Sequence, residues 1–229
     1  MNHRETVLAR IGTALGRAAP VTDVAGVPDA ILQRIATPRR HTLPALGGEA
    51  VARLIERMEG VQTSVVRLQS RDDVPEAVRF WLEAEGIDGE ITVAPALDDV
   101  DFPSGWRRGA ASGTETTGVT PCLAAVAETG SVVMASSAGT PAALNFLPEN
   151  HVVVLHEDQV VNHLDDVFPV LRALSTPPRA VNFVTGPSRT ADIEQTLEIG
   201  AHGPRRLHVL LLPGGPPPPR LSGTGALAP

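Results

Sequence analysis

The chain has 229 residues, a mass of 24.0 kDa and a formal net charge of −7, which suits one substantial domain with an appendage and argues against non-specific binding to nucleic acid or to an anionic membrane. The single cysteine, Cys122, excludes an intrachain disulfide and an iron–sulfur cluster ligated by cysteines of this chain alone. All 19 basic residues are arginine, so the chain can form no lysine Schiff base and has no Walker A lysine.

The first 46 residues are predicted to form a helical arm and linker. Residues 2–17 place apolar side chains on one helical face, and a proline-rich loop with a short helix at 29–35 follows. This arm is too short to hold a core alone, so we expect it to pack on the main domain or on a neighbouring subunit. Because neither a basic-then-apolar leader nor a long apolar run occurs, we expect a soluble cytoplasmic protein with no membrane partner.

Residues 47–212 are predicted to form an α/β domain. Short apolar segments bounded by turn residues alternate there with amphipathic helical patterns, which is typical of a mostly parallel sheet with right-handed crossovers. We predict helices at 51–58, 75–85 and 164–174, and strands at 64–68, 91–94, 132–135, 152–155, 181–184 and 207–212. The stretch 213–229 is rich in proline and glycine and is predicted to be disordered.

Two clusters of acid, hydroxyl and glycine residues lie in the small-residue stretch 109–137, around Glu115 and around Glu128. Glu128, with Thr129 and Gly130, comes between an apolar stretch and a strand, so we expect it at a tight turn. A carboxylate there could act as a base or an acyl acceptor, with threonine hydroxyls and amides around a bound anion. Alternatively, Glu128 caps the turn or pairs with an arginine.

A second candidate segment follows the predicted strand at 181–184. A turn and a helix beginning near Thr190 would place it at the carboxyl edge of a parallel sheet, where α/β proteins bind ligands. Free amides at a helix start would suit a phosphate or carboxylate, although Asp192 and Glu194 in the first turn would repel an anion. The alternative is ordinary helix capping and an arginine salt bridge. The candidate ligand-binding residues here are Ser188, Arg189, Thr190 and Asp192.

The third candidate is His202, in the sequence GAHGP at 200–204. It lies between two glycines and close to a proline, which predicts a rigid turn rather than an apolar face. Such a histidine could exchange a proton near neutral pH, or could simply be a hydrogen-bonded turn residue. Other histidines are weaker candidates, because His151 and His156 point to different faces of a strand and His163 has the spacing of a helix start. We therefore predict no metal site.

Four motifs resemble those of a known family, in the same order. They are AETGS at 127–131, FLPENHVVV at 146–154, GPSRTADIE at 186–194 and GAHGP at 200–204. With them, the stretch from about residue 47 to residue 212 resembles the LUD domain and, more narrowly, the lactate utilization protein C family (LutC, also YkgG). Four motifs in order are far more specific than any one alone.

This resemblance implies a three-layer α/β fold like those of glucosamine-6-phosphate deaminase, ribose-5-phosphate isomerase and the CoA transferases (NagB/RpiA/CoA transferase-like). It also implies a role in oxidising L-lactate to pyruvate together with iron–sulfur partner proteins. This chain would then be the component that binds no cofactor itself, in agreement with its single cysteine.

Carried over to this sequence, the motifs give two catalytic candidates, Glu128 and His202. The ligand-binding candidates are Glu115, Thr129, Gly130, Ser188, Arg189, Thr190, Asp192 and Gly203, and Glu194 also lies in a motif. Arg189 is the best candidate for gripping a carboxylate, because the planar guanidinium matches it bidentately. The leading hypothesis is a non-redox subunit of a lactate-oxidising complex with a small-anion pocket. The alternatives are a free-standing enzyme on a phosphorylated or acyl-CoA substrate that uses Glu128, and a binding module in which the motifs only shape turns.

Overall fold

The computed structural model of the chain describes residues 3–16, 27–37, 42–191, 197–200 and 202–214. The chain divides into two compact units, 1–45 and 46–229. The tail predicted to be disordered lies, from residue 215 onward, outside the described residues. The first unit contains helix α1 (His3–Ala14) and helix α2 (Asp29–Ala36), which confirms the two helices predicted there.

The second unit holds three α-helices, several short 3-10 helices and twelve strands in its described part. The α-helices are α3 (Ala50–Gly60), α4 (Val74–Ala84) and α5 (Val167–Arg172). The strands are β1 (Ser64–Arg67), β2 (Ile91–Val93), β3 (Arg107–Arg108), β4 (Thr117–Pro121), β5 (Ala124–Val126), β6 (Ser131–Ala135), β7 (Asn150–His156), β8 (Val160–Val161), β9 (Val181–Val184), β10 (Arg189–Ala191), β11 (Leu197–Ile199) and β12 (Arg206–Leu212).

The central sheet has six strands in the order β1-β12-β7-β4-β2-β3, and every pairing in it is parallel. Two of its inner strands, β12 and β7, are almost continuous apolar runs and are buried along nearly their whole length, as expected for parallel strands covered on both faces. The prediction of an α/β fold with a mostly parallel sheet is therefore confirmed.

Each face of the central sheet is covered by a different kind of layer. Helix α4 packs through Val78 and Trp81 on the face that carries Val152 and Leu210. Helix α3 and a second sheet pack on the opposite face, with α5 on the far side of that second sheet. Helix α4, predicted at 75–85, has Pro75 in its first turn and is followed by Gly86 at φ 64°.

The second sheet has four strands in the order β8-β5-β6-β9, and it corrects one prediction. Strand β9 was expected to be a buried parallel strand, but it pairs antiparallel with β6 and lies at the sheet's edge. Asn182 interrupts its apolar run, and Phe183 is 39% exposed. A half-covered strand of this kind is typical of antiparallel pairing.

The segment after β9 is also different from the prediction, because a strand stands where a helix was expected to begin near Thr190. Strands β10 and β11 pair antiparallel, with Thr190 opposite Glu198. Ser188 precedes a strand rather than a helix, and its N–H donates to the Pro204 carbonyl at 2.8 Å while its carbonyl accepts from Gly200 N–H at 2.9 Å. The acids assigned to the helix's first turn, Asp192 and Glu194, lie outside the described residues.

Candidate functional site

A cavity of about 500 Å³ lies where β9 ends and β12 begins. The cavity is lined by Gly60 and Val61 at the end of α3, by Phe146, by the stretch 183–189 and by Leu207 in β12. Polar groups from the second and third candidate segments lie among these apolar residues. A concave site with this mixture is typical of a small-molecule pocket.

The cavity lies at the amino edge of the central sheet, which corrects the prediction of its carboxyl edge. Leu207 is the second residue of β12, and Phe146 lies four residues before β7 begins. The prediction failed because β9 does not belong to the central sheet. Its carboxyl end instead meets the amino ends of the parallel strands.

The structure brings the second and third predicted segments together on the wall of this cavity. Ser188, Arg189, His202 and Gly203 all line the cavity. The two hydrogen bonds of Ser188 to the loop at 200–204 hold the segments side by side, and a Cβ on Gly203 would lie 3.4 Å from the Ser188 Cβ. The Ser188 amide is used in this pairing and is therefore not free to bind a ligand.

Arg189 supplies the positive charge of the cavity wall. Its side chain is exposed, and its Nη2 donates a hydrogen bond to Oε1 of Gln62, which follows α3. Gln62 was not among the predicted site residues, and no local sequence pattern marks it. Of the other predicted residues nearby, Thr190 has only its backbone described and Asp192 lies outside the described residues.

The AETGS motif forms the turn between β5 and β6 and packs on the end of α3. Gly130 has φ 71°, and a Cβ there would lie 2.8 Å from the Arg57 carbonyl carbon and 2.9 Å from the Met58 nitrogen. Glycine is required at this position because only it allows both the left-handed backbone and the close approach.

A chain of hydroxyl groups connects this turn to the cavity. The Thr129 hydroxyl is hydrogen-bonded to that of Ser131 at 2.6 Å, and Ser131 is hydrogen-bonded to Thr185 at 2.6 Å. Ser131 is buried, whereas Thr185 lines the cavity. Thr129 and Gly130 therefore do not line the cavity themselves, and Thr129 is linked to its wall through Ser131 and Thr185.

Glu128 faces a different part of the molecule. Its Oε2 accepts a hydrogen bond from Leu164 N–H at 3.3 Å and lies 3.4 Å from the His163 Nδ1. His163 begins a short 3-10 turn, as its spacing predicted, but its contact with Glu128 could not be seen from sequence because 35 positions separate the two residues. Glu128 does not line the cavity that His202 lines, so the structure does not bring the two catalytic candidates together.

Glu115 shapes the loop that precedes β4. Its carboxylate accepts hydrogen bonds from Ser112 N–H at 2.9 Å, the Ser112 hydroxyl at 2.7 Å and Gly113 N–H at 3.2 Å. Burial raises the pKa of this carboxyl group, but the hydrogen bonds outweigh burial and hold the pKa below its usual range. Glu115 does not line the cavity.

Two further histidines lie in the interior of the central sheet. The Nε2 of His151 is 2.7 Å from the Thr120 hydroxyl, and the Nδ1 of His208 is 2.7 Å from the Ser64 hydroxyl. The His208 ring also stacks on Trp81 with a centroid distance of 4.7 Å. Burial lowers the pKa of each histidine to about 4, so both are neutral at pH 7.

The described residues contain neither a cluster of metal ligands nor a reactive thiol. Among them, no group of three or more His, Cys, Asp or Glu side chains is arranged to hold a metal ion. Cys122 is buried, and burial raises its pKa to about 12, so it is not a thiolate near neutral pH. Within the described ranges, no helix combines the length and apolarity needed to cross a bilayer.

The fold and cavity together define an α/β protein with a small polar and apolar pocket at the amino edge of a parallel sheet. A model of the LUD domain matches residues 51–212. Because this match covers more than half of the chain, the chain belongs to the LUD domain family.

Several curated relatives share one name. The chain is similar to lactate utilization protein C from Exiguobacterium sp., at 32% identity over 99 residues, which are 42% of this chain and 43% of that protein. It is also similar to the protein of that name from Bacillus pumilus, at 36% identity over 91 residues, which are 38% of each chain. The protein of that name from Bacillus subtilis is 30% identical over 99 residues, which are 42% of this chain and 41% of that protein. These matches span about two fifths of the relatives' length. They confirm the predicted resemblance to this family.

A solved structure has the same fold. The crystal structure of a DUF162 family protein from Deinococcus radiodurans is 21% identical, with a TM-score of 0.53, and the match covers 74% of this chain and 99% of that one. At this identity the likeness concerns the fold alone. The finer prediction of a fold like those of the CoA transferases stays a prediction.

Proposed function

We propose that the chain acts in L-lactate utilization as a component without a redox centre, and that its cavity binds a small carboxylate such as lactate or pyruvate. The observation that carries the proposal is the convergence of Arg189, Ser188 and His202 on one cavity wall from two separate motifs. The name shared by the curated relatives supports the lactate connection.

Each of the three side chains has a chemical task in this proposal. The Arg189 guanidinium would pair with the carboxylate, since its parallel N–H donors match the two oxygens. The Ser188 hydroxyl and the His202 imidazole would contact the 2-hydroxyl or 2-keto oxygen, which is the group that distinguishes lactate from pyruvate. Phe146 and Leu207 supply the apolar contact for the methyl group.

The cavity is larger than a three-carbon acid requires. Lactate has six non-hydrogen atoms, and at no more than a water volume of about 30 Å³ each it would fill at most about 180 Å³. We therefore expect weak binding, in the range from micromolar to millimolar, because a six-atom ligand has few contacts to make.

Calorimetric titration with L-lactate and with pyruvate tests the carboxylate proposal. Arg189→Gln should weaken binding about tenfold or more, with little change in the urea midpoint, because its contacts are exposed. Arg179→Gln is the matched control, since Arg179 is also exposed and does not line the cavity. Equal affinity in the Arg189 and Arg179 variants would exclude the proposed role of Arg189.

The partner proposal needs a separate experiment. We propose that iron–sulfur proteins of lactate utilization are the partners, and that they carry the redox centres which this chain does not provide. Affinity capture of the tagged chain from its source cells grown on L-lactate should recover proteins with iron–sulfur absorbance and lactate-oxidising activity. A colourless, single protein that itself turns over a phosphorylated or acyl-CoA substrate would support the enzyme alternative instead.

A further inference from the structure

Gln62 has an unusual backbone conformation directly beside the cavity. Its φ is 66°, and in the described part of the chain it is the one residue other than glycine with a positive φ. A side chain costs free energy in this left-handed region because its Cβ crowds the backbone. At the other described positions with positive φ the chain uses glycine.

The conformation follows from how α3 ends. Thr63 N–H donates to the Met58 carbonyl at 2.9 Å and Gln62 N–H donates to the Glu59 carbonyl at 3.0 Å. This pair of bonds is the Schellman motif, and Gln62 occupies its left-handed position, which is usually glycine. If only the helix end mattered, glycine at this position would therefore give a more stable structure than glutamine.

The side chain of Gln62 does something that glycine could not do. Its Oε1 accepts a hydrogen bond from the Arg189 Nη2 across 127 positions of sequence. Gly60 and Val61, just before it, line the cavity together with Arg189. An arginine has five N–H donors, so one amide oxygen can fix the guanidinium and leave other donors for a ligand.

We propose that Gln62 is a positioning residue, which holds the Arg189 guanidinium at the cavity so that it meets a bound carboxylate in one orientation. The inference rests on the proposed function of the cavity. A neutral amide suits this task because it orients the guanidinium without neutralising its charge. A carboxylate at the same place would compete with the ligand.

The test uses the full chain, with L-lactate and its neutral analogue lactamide as probes in calorimetric titration. Gln62→Gly should weaken lactate binding about five- to tenfold and leave lactamide binding unchanged, so that the preference for the carboxylate falls. Its melting temperature should stay the same or rise, because glycine adopts the left-handed backbone without penalty. Gln62→Asn keeps an amide and tolerates this backbone, so it should recover part of the lactate affinity.

The control is Gln69→Gly, a glycine substitution at an exposed position outside the cavity, which should leave both affinities unchanged. If Arg189→Gln weakens lactate binding and Gln62→Gly does not, the positioning role is wrong and the proposed function stands. If Gln62→Gly weakens lactate and lactamide equally, Gln62 acts on the shape of the cavity and the positioning role is also wrong. If the unaltered chain binds neither lactate nor pyruvate, both proposals fail.

Discussion

The turn that carries Glu128 and the wall that carries Arg189 are both built from family motifs, yet they serve different purposes. The turn is fixed by backbone packing, because Gly130 touches the last turn of α3. The wall presents side chains to a cavity, and its backbone groups are occupied by the pairing of Ser188 with the loop that follows β11. A motif can therefore reflect a backbone conformation that packing requires, rather than side chains that take part in chemistry.

The two regions share one support, which is the end of α3. Gly130 approaches Arg57 and Met58, and a Cβ on Gly186 in the cavity wall would lie 2.7 Å from the Val61 carbonyl oxygen. Gln62, which follows the same helix end, accepts a hydrogen bond from Arg189. Substitutions in the turn should therefore lower stability, whereas substitutions in the cavity wall should weaken ligand binding.

The largest effect should come from lowering the pH, because two buried histidines of the central sheet then become protonated. Burial lowers the pKa of His151 and His208 from about 6.5 to about 4, so the unfolded chain binds more protons than the folded one between these values. Stability should therefore be full above pH 6.5 and fall as the pH drops towards 4. The loss should be on the order of 3 kcal/mol for each histidine. Urea unfolding at several pH values measures it.

His208→Gln identifies the source of this loss. Glutamine can still hydrogen-bond the Ser64 hydroxyl but does not titrate, so the variant should be less stable at pH 7 and less sensitive to pH below 6.5. An unchanged slope of stability against pH in this variant would assign the acid sensitivity to other groups.

The next largest effect should come from Gly130→Ala. The new Cβ would have to displace the α3 backbone and would also occupy a left-handed conformation, so we expect a loss of about 3 kcal/mol or more. Gly86→Ala is the matched control, because Gly86 has φ 64° but no atom within 4 Å of the added Cβ, and it should lose about 1 kcal/mol. Similar losses in the two variants would show that the contact with α3 contributes nothing.

Much of the fold could be predicted because β7 and β12, two inner strands of the central sheet, are nearly continuous apolar runs. Strand β4 was missed, since its sequence TGVTP contains glycine and proline, which are poor strand residues. Strand β4 pairs with β7 and β2, and its Gly118 leaves room for the Leu144 carbonyl oxygen, which would lie 2.7 Å from an added Cβ. The antiparallel pairing of β9 with β6 is a long-range choice that no local pattern contains.

The candidate site was predicted in part for a similar reason. Motifs identified Arg189 and His202, and Phe146 also lies in a motif, but Gln62 and Thr185 become site residues only when distant segments meet. Gln62 is the clearest case, because its importance lies in a backbone angle and a contact with a residue far along the chain. Conversely, the motif predicted Glu128 as part of the pocket, whereas its contacts in the structure are with Leu164 and His163.

Ser131→Ala tests the connection between the two regions. It removes the hydroxyl that joins Thr129 to Thr185 and leaves both of these groups without that partner, which should cost about 1 to 2 kcal/mol of stability. Lactate affinity should fall by a few fold, because Thr185 loses its fixed orientation in the cavity wall. Ser70→Ala is a useful comparison, since Ser70 forms hydrogen bonds at a helix start outside the cavity and should affect stability alone.

The smallest effect should come from Glu128→Gln, which keeps the shape of the side chain and removes its charge. The Glu128 side chain is 29% exposed, and its neighbours His163 and Leu164 belong to the turn rather than to the cavity. We expect a loss of less than about 1 kcal/mol in urea unfolding, as for most partly exposed contacts of a carboxylate, and unchanged lactate affinity. A tenfold loss of lactate affinity would show that the turn and the cavity act as one site, and Glu128 would then regain the catalytic role that its motif predicted.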